Sequence, residues 1–287
     1  MRHNKLTPYL LIAPAFVLIA LVTLYPTWYS FWLSLNRSRR GALEFIGFEN
    51  YRNILDTDGF QFRNDFWESL WNTLTFGFFF VLITVVLAFL LAIIFNRRLK
   101  GTTVYMVIIF VPWMLSEIVS GIMFRWLFLP QFGLLQNWLA PLVGETPILA
   151  SGAGAMGVVI GATVWRSLAF ATLLILAGMQ TIASELYDAA AIDGASGWQR
   201  FRYITWPLVR PTTTITVLFL TIQAVNAAGM FLAITDGGPG RSTEVLSLFM
   251  YREALEFFNF GYAAALSVIM LGLNSILALI YLRVLRD

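Results

Sequence analysis

Six stretches of the chain stay apolar for longer than any strand or surface helix requires: residues 9–35, 69–96, 102–129, 153–180, 211–235 and 258–283. A helix that crosses a bilayer needs about 20 mostly apolar residues. An open sheet edge finds no water there to satisfy its backbone groups. The pattern therefore predicts an all-α integral membrane protein with six transmembrane helices in a single domain, 1–287. The first stretch has no charged side chain, and Trp28, Tyr29 and Trp32 crowd its far end. It outruns the apolar core of a secretory signal, so it reads as a retained helix with an aromatic belt.

Polar segments separate these stretches. Residues 37–68, 130–152 (with Pro130, Pro141 and Pro147) and 236–256 lie on one side, and residues 181–210 form the one long loop on the other. Lys and Arg orient the chain. With the N-terminus inside, Arg2, Lys5, Arg97, Arg98, Lys100, Arg200, Arg202, Arg210, Arg283 and Arg286 are cytoplasmic. Arg37, Arg39, Arg40, Arg52, Arg63, Arg241 and Arg252 are external. The short, cation-rich turn at 96–101 supports this choice, and an even number of spans puts both termini in the cytoplasm.

Composition narrows the function classes. The chain is 59% hydrophobic and 12% charged, with mean hydropathy +0.74, about half the charge of a soluble domain. Cysteine is absent, which excludes disulfides and thiolate metal sites, and His3 is the single histidine. The net charge of +3 forms no basic stripe for nucleic acid. No Walker sequence, Ser–Lys dyad or intramembrane Asp pair is present, and Glu117 alone cannot serve as both acid and base. These absences weigh against most enzyme readings.

The inner loop has local signals of its own. Ser184 is positioned to cap a short helix, with Glu185 and Asp188 expected in its first turn. Ala189, Ala190 and Ala191 favour helix, and Asp193-Gly194 ends it. Ser196-Gly197-Trp198-Gln199 fits a capping box for a second helix, which Pro207 and Pro211 are expected to break before the fifth span. The result is a helix–turn–helix over 184–207. It suits either a rigid peg for a partner's cleft or an amphipathic helix resting on lipid headgroups.

The sequence of this loop resembles the coupling loop of membrane subunits of binding-protein-dependent ABC importers. That pattern is an acidic residue, two alanines, a glycine six positions after the acid, then Ile-x-Leu-Pro. Asp188, Ala189, Ala190, Gly194, Ile204 and Pro207 stand at matching positions. The chain departs from it at Asp188, usually Glu, and at Trp206, usually Leu. Pro8–Ala15, Tyr25-Pro26, Gly47–Tyr51, Asn72-Thr73 and Gly237-Gly238-Pro239-Gly240 are similar to the sugar (maltose-type) permeases of this family.

The resemblance implies an ABC importer permease (type I) fold with cytoplasmic coupling helices. It implies that Asp188, Ala189, Ala190, Asp193, Gly194 and Ala195 meet an ATPase. It also implies that Gly237, Gly238, Pro239 and Gly240 help dock a binding protein, although a plain turn accounts for them equally well. The implied partners are a second permease subunit, two ATPase subunits, an extracytoplasmic sugar-binding protein and membrane lipid, with no nucleic acid. ATP and Mg belong to the ATPases, with no cofactor in this chain. The setting is a bacterial or archaeal cell (inner) membrane, and the solute a carbohydrate such as an oligosaccharide. A non-sugar solute such as a glycerol phosphate is the alternative. An ATP-independent channel or secondary transporter fits less well, since the chain has no internal repeat.

At about 1.5 Å per residue, Glu117, Arg166, Gln223, Asn226 and Asn274 fall near one central layer, with Trp113 and Trp165 beside them. Polar groups at that depth need a reason. One reading is a substrate path in which hydroxyls bond the amides and sugar faces stack on tryptophan. The other is a Glu117–Arg166 ion pair and interhelical hydrogen bonds that hold the bundle together. Gly77, Gly121, Gly157, Gly161 and Gly178 are expected at close helix approaches.

Overall fold

The computed structural model describes residues 7–39, 42–55, 65–97, 101–144 and 146–286. Arg2, Lys5, Arg40, Arg63, Arg98 and Lys100, which helped orient the chain, lie outside the described residues. Five helices are long and apolar enough to cross a membrane, or six if one sharply bent helix pair counts as a single span. The chain divides into two compact units.

The first unit comprises residues 1–66 and 250–272. Helix α1 (Thr7–Ser34) carries Pro14 and Pro26 internally, and its large apolar side chains are exposed. A hairpin follows, β1 (Asn36–Arg39) antiparallel to β2 (Ala42–Phe45), with Arg37 opposite Glu44. Helix α2 (Glu49–Leu55) is fastened to the end of α1. The buried Asn50 amide donates to the carbonyls of Ser34 at 2.8 Å and Asn36 at 3.0 Å. Tyr51 and Ser34 share a hydroxyl contact of 2.6 Å. The Gly47–Tyr51 stretch is thus a clasp, and a segment expected as loop contains a hairpin and a helix.

The second unit comprises residues 67–249 and 273–287. Its membrane-length elements are α3 (Asp65–Phe95), the pair α4 (Thr102–Met114) and α5 (Glu117–Leu127), α7 (Gly152–Gln180), α10 (Trp206–Val225) and the end of α13 (Phe260–Arg286). Shorter helices α6 (Leu134–Val143), α8 (Ser184–Ile192), α9 (Gly197–Arg200), α11 (Ala228–Ile234) and the start of α12 (Leu246–Leu255) fill the connections. Helix α7 is the centre of this unit and touches α4, α5, α10 and α11. Its buried face is built of small and branched residues, among them Ala155, Val159, Ala162, Ala169, Ala171 and Ile175, which let neighbouring backbones come close. A methyl on Gly178 would sit 2.8 Å from the Thr212 hydroxyl, so α7 and α10 meet there without room for a side chain. Buried Thr163, Thr213 and Thr216 turn their hydroxyls onto their own i−4 carbonyls, which removes unpaired donors from an apolar interior.

Gly121 behaves like Gly178, with Ala233 directly against it. Gly157 and Gly161 do not: nothing lies within 4 Å of a methyl at either position. Both are on the exposed face of α7, so the expected close approach is absent among the described residues.

Candidate translocation site and coupling loop

Residues 102–129 do not form one straight helix. α4 and α5 are bent by 97° at Leu115–Ser116. Pro112 lies in the last turn of α4, where its missing N–H weakens the helix, and Leu115 is extended. Ser116 becomes the N-cap of α5 and Glu117 its first residue. Glu117 therefore sits at the positive end of a helix dipole rather than halfway along a rod.

Arg166 reaches this break from α7. Its Nε donates to the Leu115 carbonyl at 3.1 Å, and its Nη1 lies 3.3 Å from Glu117 Oε1. One guanidinium thus satisfies a carbonyl exposed by the bend and pairs with the carboxylate that follows it. An arginine suits both tasks because its donors form a fixed fork.

The fifth span breaks too. α10 ends at Val225, Asn226 closes it, and α11 begins at Ala228. Beyond the two breaks, α5 and α11 pack together closely, with Gly121 against Ala233 and Gly229 3.0 Å from Glu117 Oε2, measured from an added methyl. Gln223 and Ser167 are hydrogen-bonded, Nε2 to Oγ at 3.2 Å. Ser167 follows Arg166 in sequence, so two separate polar pairs, Glu117–Arg166 with α5 and Ser167–Gln223 with α10, cluster at one level of α7.

Other expected members stand apart from that cluster. Asn226 is exposed and its Nδ2 donates to its own helix at Ile222 O, 2.8 Å. Asn274, on α13, has a buried Oδ1 with no hydrogen-bond partner among the described residues. Trp113 stacks on Phe170 at 5.4 Å, and Phe170 meets Phe219 at 4.7 Å. These rings tie α4, α7 and α10 together. Trp165 contacts Phe124 at 5.4 Å and keeps part of its indole exposed.

The Gly-rich turn at 237–240 is built onto α3. Gly237 and Gly240 have positive φ, +73° and +63°, a region glycine enters at little cost. Asn72 Nδ2 donates to the carbonyls of Arg241 and Glu244, each at 3.1 Å, and Thr73 Oγ1 accepts from Leu246 N–H at 2.9 Å. Gly238 O accepts from Thr243 Oγ1 at 2.9 Å, and Pro239 O accepts from Ser242 N–H at 3.2 Å. Asn72-Thr73 and Gly237–Gly240, far apart in sequence, form one structure.

The loop over 181–210 is a capped helix pair. Helix α8 buries none of its residues; Asp188, Ala189, Asp193 and Gly194 are exposed, Ala190 and Ala195 half-buried, and Ile192 is 87% exposed at its tip. Gly194 takes φ +77°. Its N–H bonds Ala191 O at 3.1 Å, while Ala195 N–H bonds Ala190 O at 2.9 Å, closing the helix end as a left-handed glycine does. Ser196 and Gln199 form the full capping box, 3.3 and 2.7 Å.

Two local expectations are corrected here. Ala183, extended, is the N-cap of α8, so Ser184 lies inside the helix and Asp188 falls beyond the first turn. Pro207 and Pro211 do not separate the second helix from the span: residues 197–225 run on continuously. A π-helical turn over Phe201–Thr205 precedes α10, and Trp206 N–H bonds Phe201 O, five residues back. The wider turn delivers Pro207 to the first positions of α10, where a missing N–H costs nothing. Pro211 forfeits a single bond inside a helix held by its neighbours.

Several residues that organise this region carried no sequence signal. Ser167 partners Gln223, Tyr187 OH lies 2.9 Å from Thr205 Oγ1, and Phe89 of α3 meets both Phe201 and Trp206. Hydroxyls and rings in an apolar run look like ordinary filling until their partners are placed.

Residues 84–287 match the family model described as "Binding-protein-dependent transport system inner membrane component". Along 99% of its length the chain is 33% identical to the trehalose/maltose transport system permease protein MalF of Thermococcus litoralis, covering 94% of that protein. It is 32% identical to the sn-glycerol-3-phosphate transport system permease protein UgpA of Rhizobium meliloti, covering 94% of this chain and 91% of the relative. Its fold matches a chain of a bacterial ABC transporter involved in import of the acidic polysaccharide alginate, with TM-score 0.82, 20% identity, and coverage of 99% and 96%.

Proposed function

The chain belongs to the family of binding-protein-dependent transport system inner membrane components, and on that premise we propose that it forms half of the translocation path for a carbohydrate in an ATP-driven importer. The other half is a second permease subunit. Two ATPase subunits bind ATP and Mg and press on α8 through Asp188, Ala189, Ala190, Asp193, Gly194 and Ala195. An extracytoplasmic sugar-binding protein docks on the outer surface that includes Gly237, Gly238, Pro239 and Gly240. Both termini are cytoplasmic.

The observation that carries this reading is the inner loop. An exposed helix, closed by a left-handed glycine and followed by a capping box, leads through one continuous helix to the Gln223 layer. Ile192 projects from the tip as an apolar side chain suited to a partner's cleft. When the ATPases close, α8 moves and the spans rock. The path then opens outward to the binding protein, and hydrolysis returns it inward. Trp165 offers an indole to a sugar face and Asn226 an exposed amide to hydroxyls; Gln223, bonded to Ser167, and Asn274, its Oδ1 buried, reach a hydroxyl once the spans move.

A glycerol phosphate importer is the second reading, favoured by the likeness to UgpA. The engaged state of Arg166 argues against it, because its charge is balanced by Glu117 and its Nε by Leu115. The test is uptake by the assembled importer in proteoliposomes with its binding protein. Maltose, trehalose and longer glucosides should be taken up and sn-glycerol 3-phosphate excluded; the reverse selectivity would replace the carbohydrate reading with the second.

A further inference from the structure

The π-helical turn at Phe201–Thr205 is held from two sides. From α8, Tyr187 OH lies 2.9 Å from Thr205 Oγ1. From α3, Phe89 packs on Phe201 at 6.3 Å and on Trp206 at 5.7 Å, the residues that bracket the turn. Thr205 is 8% exposed, so its hydroxyl has little water to exchange for this partner. Turns with i→i−5 bonding are rare and are frequently found at functional sites.

Thr205 is also the last residue before α10. From there the helix runs unbroken to Val225, about 30 Å at 1.5 Å per residue, and carries Phe219 and Gln223 to their partners on α7. A displacement of α8 reaches this rod along the chain through Gly194 and the capping box. The Tyr187 hydroxyl is a second route that bypasses the glycine turn.

We propose that Tyr187 and Thr205 are the transmission pair of this subunit, linking α8 directly to the π-turn so that movement of α8 drives α10. This rests on the importer reading. The pair are positioning residues: neither touches the solute. With the hydroxyl link removed, α8 still docks and ATP is still hydrolysed, but part of the motion is lost at Gly194.

The test uses the whole importer in proteoliposomes, with ATP hydrolysis and solute uptake measured on the same preparation. Tyr187→Phe and Thr205→Val should each lower the solute moved per ATP about fivefold, the weight of one side-chain hydrogen bond, with hydrolysis held within about twofold. The double variant should be no worse than either single one, and Thr205→Ser should restore the ratio. A merely structural role would lower yield and both rates together and leave solute per ATP unchanged; that result, or losses that multiply in the double variant, overturns the proposal. A second measurement does not depend on those variants. The chain has no cysteine of its own, so Tyr187→Cys with Thr205→Cys can be bridged by a short bis-maleimide. Bridging should recover the ratio that the unbridged pair has lost, and failure to recover it counts against the link. If the unaltered importer hydrolyses no ATP in response to its binding protein, the importer reading fails and this proposal fails with it.

Discussion

Removing either half of the Glu117–Arg166 pair should cost more than removing both. The pair is largely desolvated, with 15% of the Arg166 side chain and 33% of the Glu117 side chain exposed. Breaking such a pair from one side costs roughly 3–5 kcal/mol, because the remaining charge is left uncompensated. The exposure of Glu117 places Glu117→Leu at the lower end, about 3 kcal/mol. Arg166→Leu removes the same attraction and also orphans the Leu115 carbonyl, which adds about 1 kcal/mol, for about 4 in total. The double Leu variant buries no charge and retains only the carbonyl penalty, about 1 kcal/mol. At roughly 2–4 °C per kcal/mol, the single variants should melt about 6–16 °C low and the double variant only about 2–4 °C low. The assay is thermal unfolding of the full chain with its partners in lipid nanodiscs. A double variant that melts low by the sum of the two single shifts would refute the reasoning, since independent sites add and the side chains would then not interact.

Three further outcomes follow from close approaches and turns. Gly121→Ala forces a methyl against Ala233 and should cost about 1–3 kcal/mol, while Gly161→Ala meets nothing within 4 Å and should be neutral or gain up to about 1 kcal/mol; equal effects in the same melt would contradict the packing described. Gly194→Val places a branched side chain at φ +77°, at a cost of about 1–2 kcal/mol, and should abolish uptake with membrane yield unchanged; normal uptake would mean that the shape of the turn is not transmitted. Asn72→Leu strips donors from the carbonyls of Arg241 and Glu244, about 1–3 kcal/mol, and should reduce binding-protein-stimulated hydrolysis while the basal rate holds. Loss of both rates together would place the defect in folding instead.

Local signals in the sequence hold where the physics is local. The Ser196–Gln199 capping box and the glycine that ends α8 appear as expected, because each depends on residues three to five positions apart. The prolines at 207 and 211 misled, because their effect depends on the width of the preceding turn and on the helices that hold α10 in place. The cost of charge at membrane depth singles out Glu117 and Arg166, while Pro112 is the sequence signal for the break at Leu115 that makes Glu117 a helix start. The glycines divide in the same way. Gly121 and Gly178 sit at contacts between helices and Gly157 and Gly161 do not, although all four look alike in an apolar run.

The chain by itself determined the number and length of its apolar stretches and the capped helix in its inner loop. Those follow from the thickness of a bilayer and from hydrogen bonds closed within one turn. It also determined which family it belongs to, through Asp188, Ala189, Ala190, Gly194 and Pro207. Tertiary structure alone decided that Asn72 fastens a turn some 170 residues away, that Arg166 caps a broken helix, and that Tyr187 meets Thr205. The reason is physical: a side-chain hydrogen bond between two elements is set by how their backbones pack, and packing in lipid depends on small shape differences that hydropathy does not record.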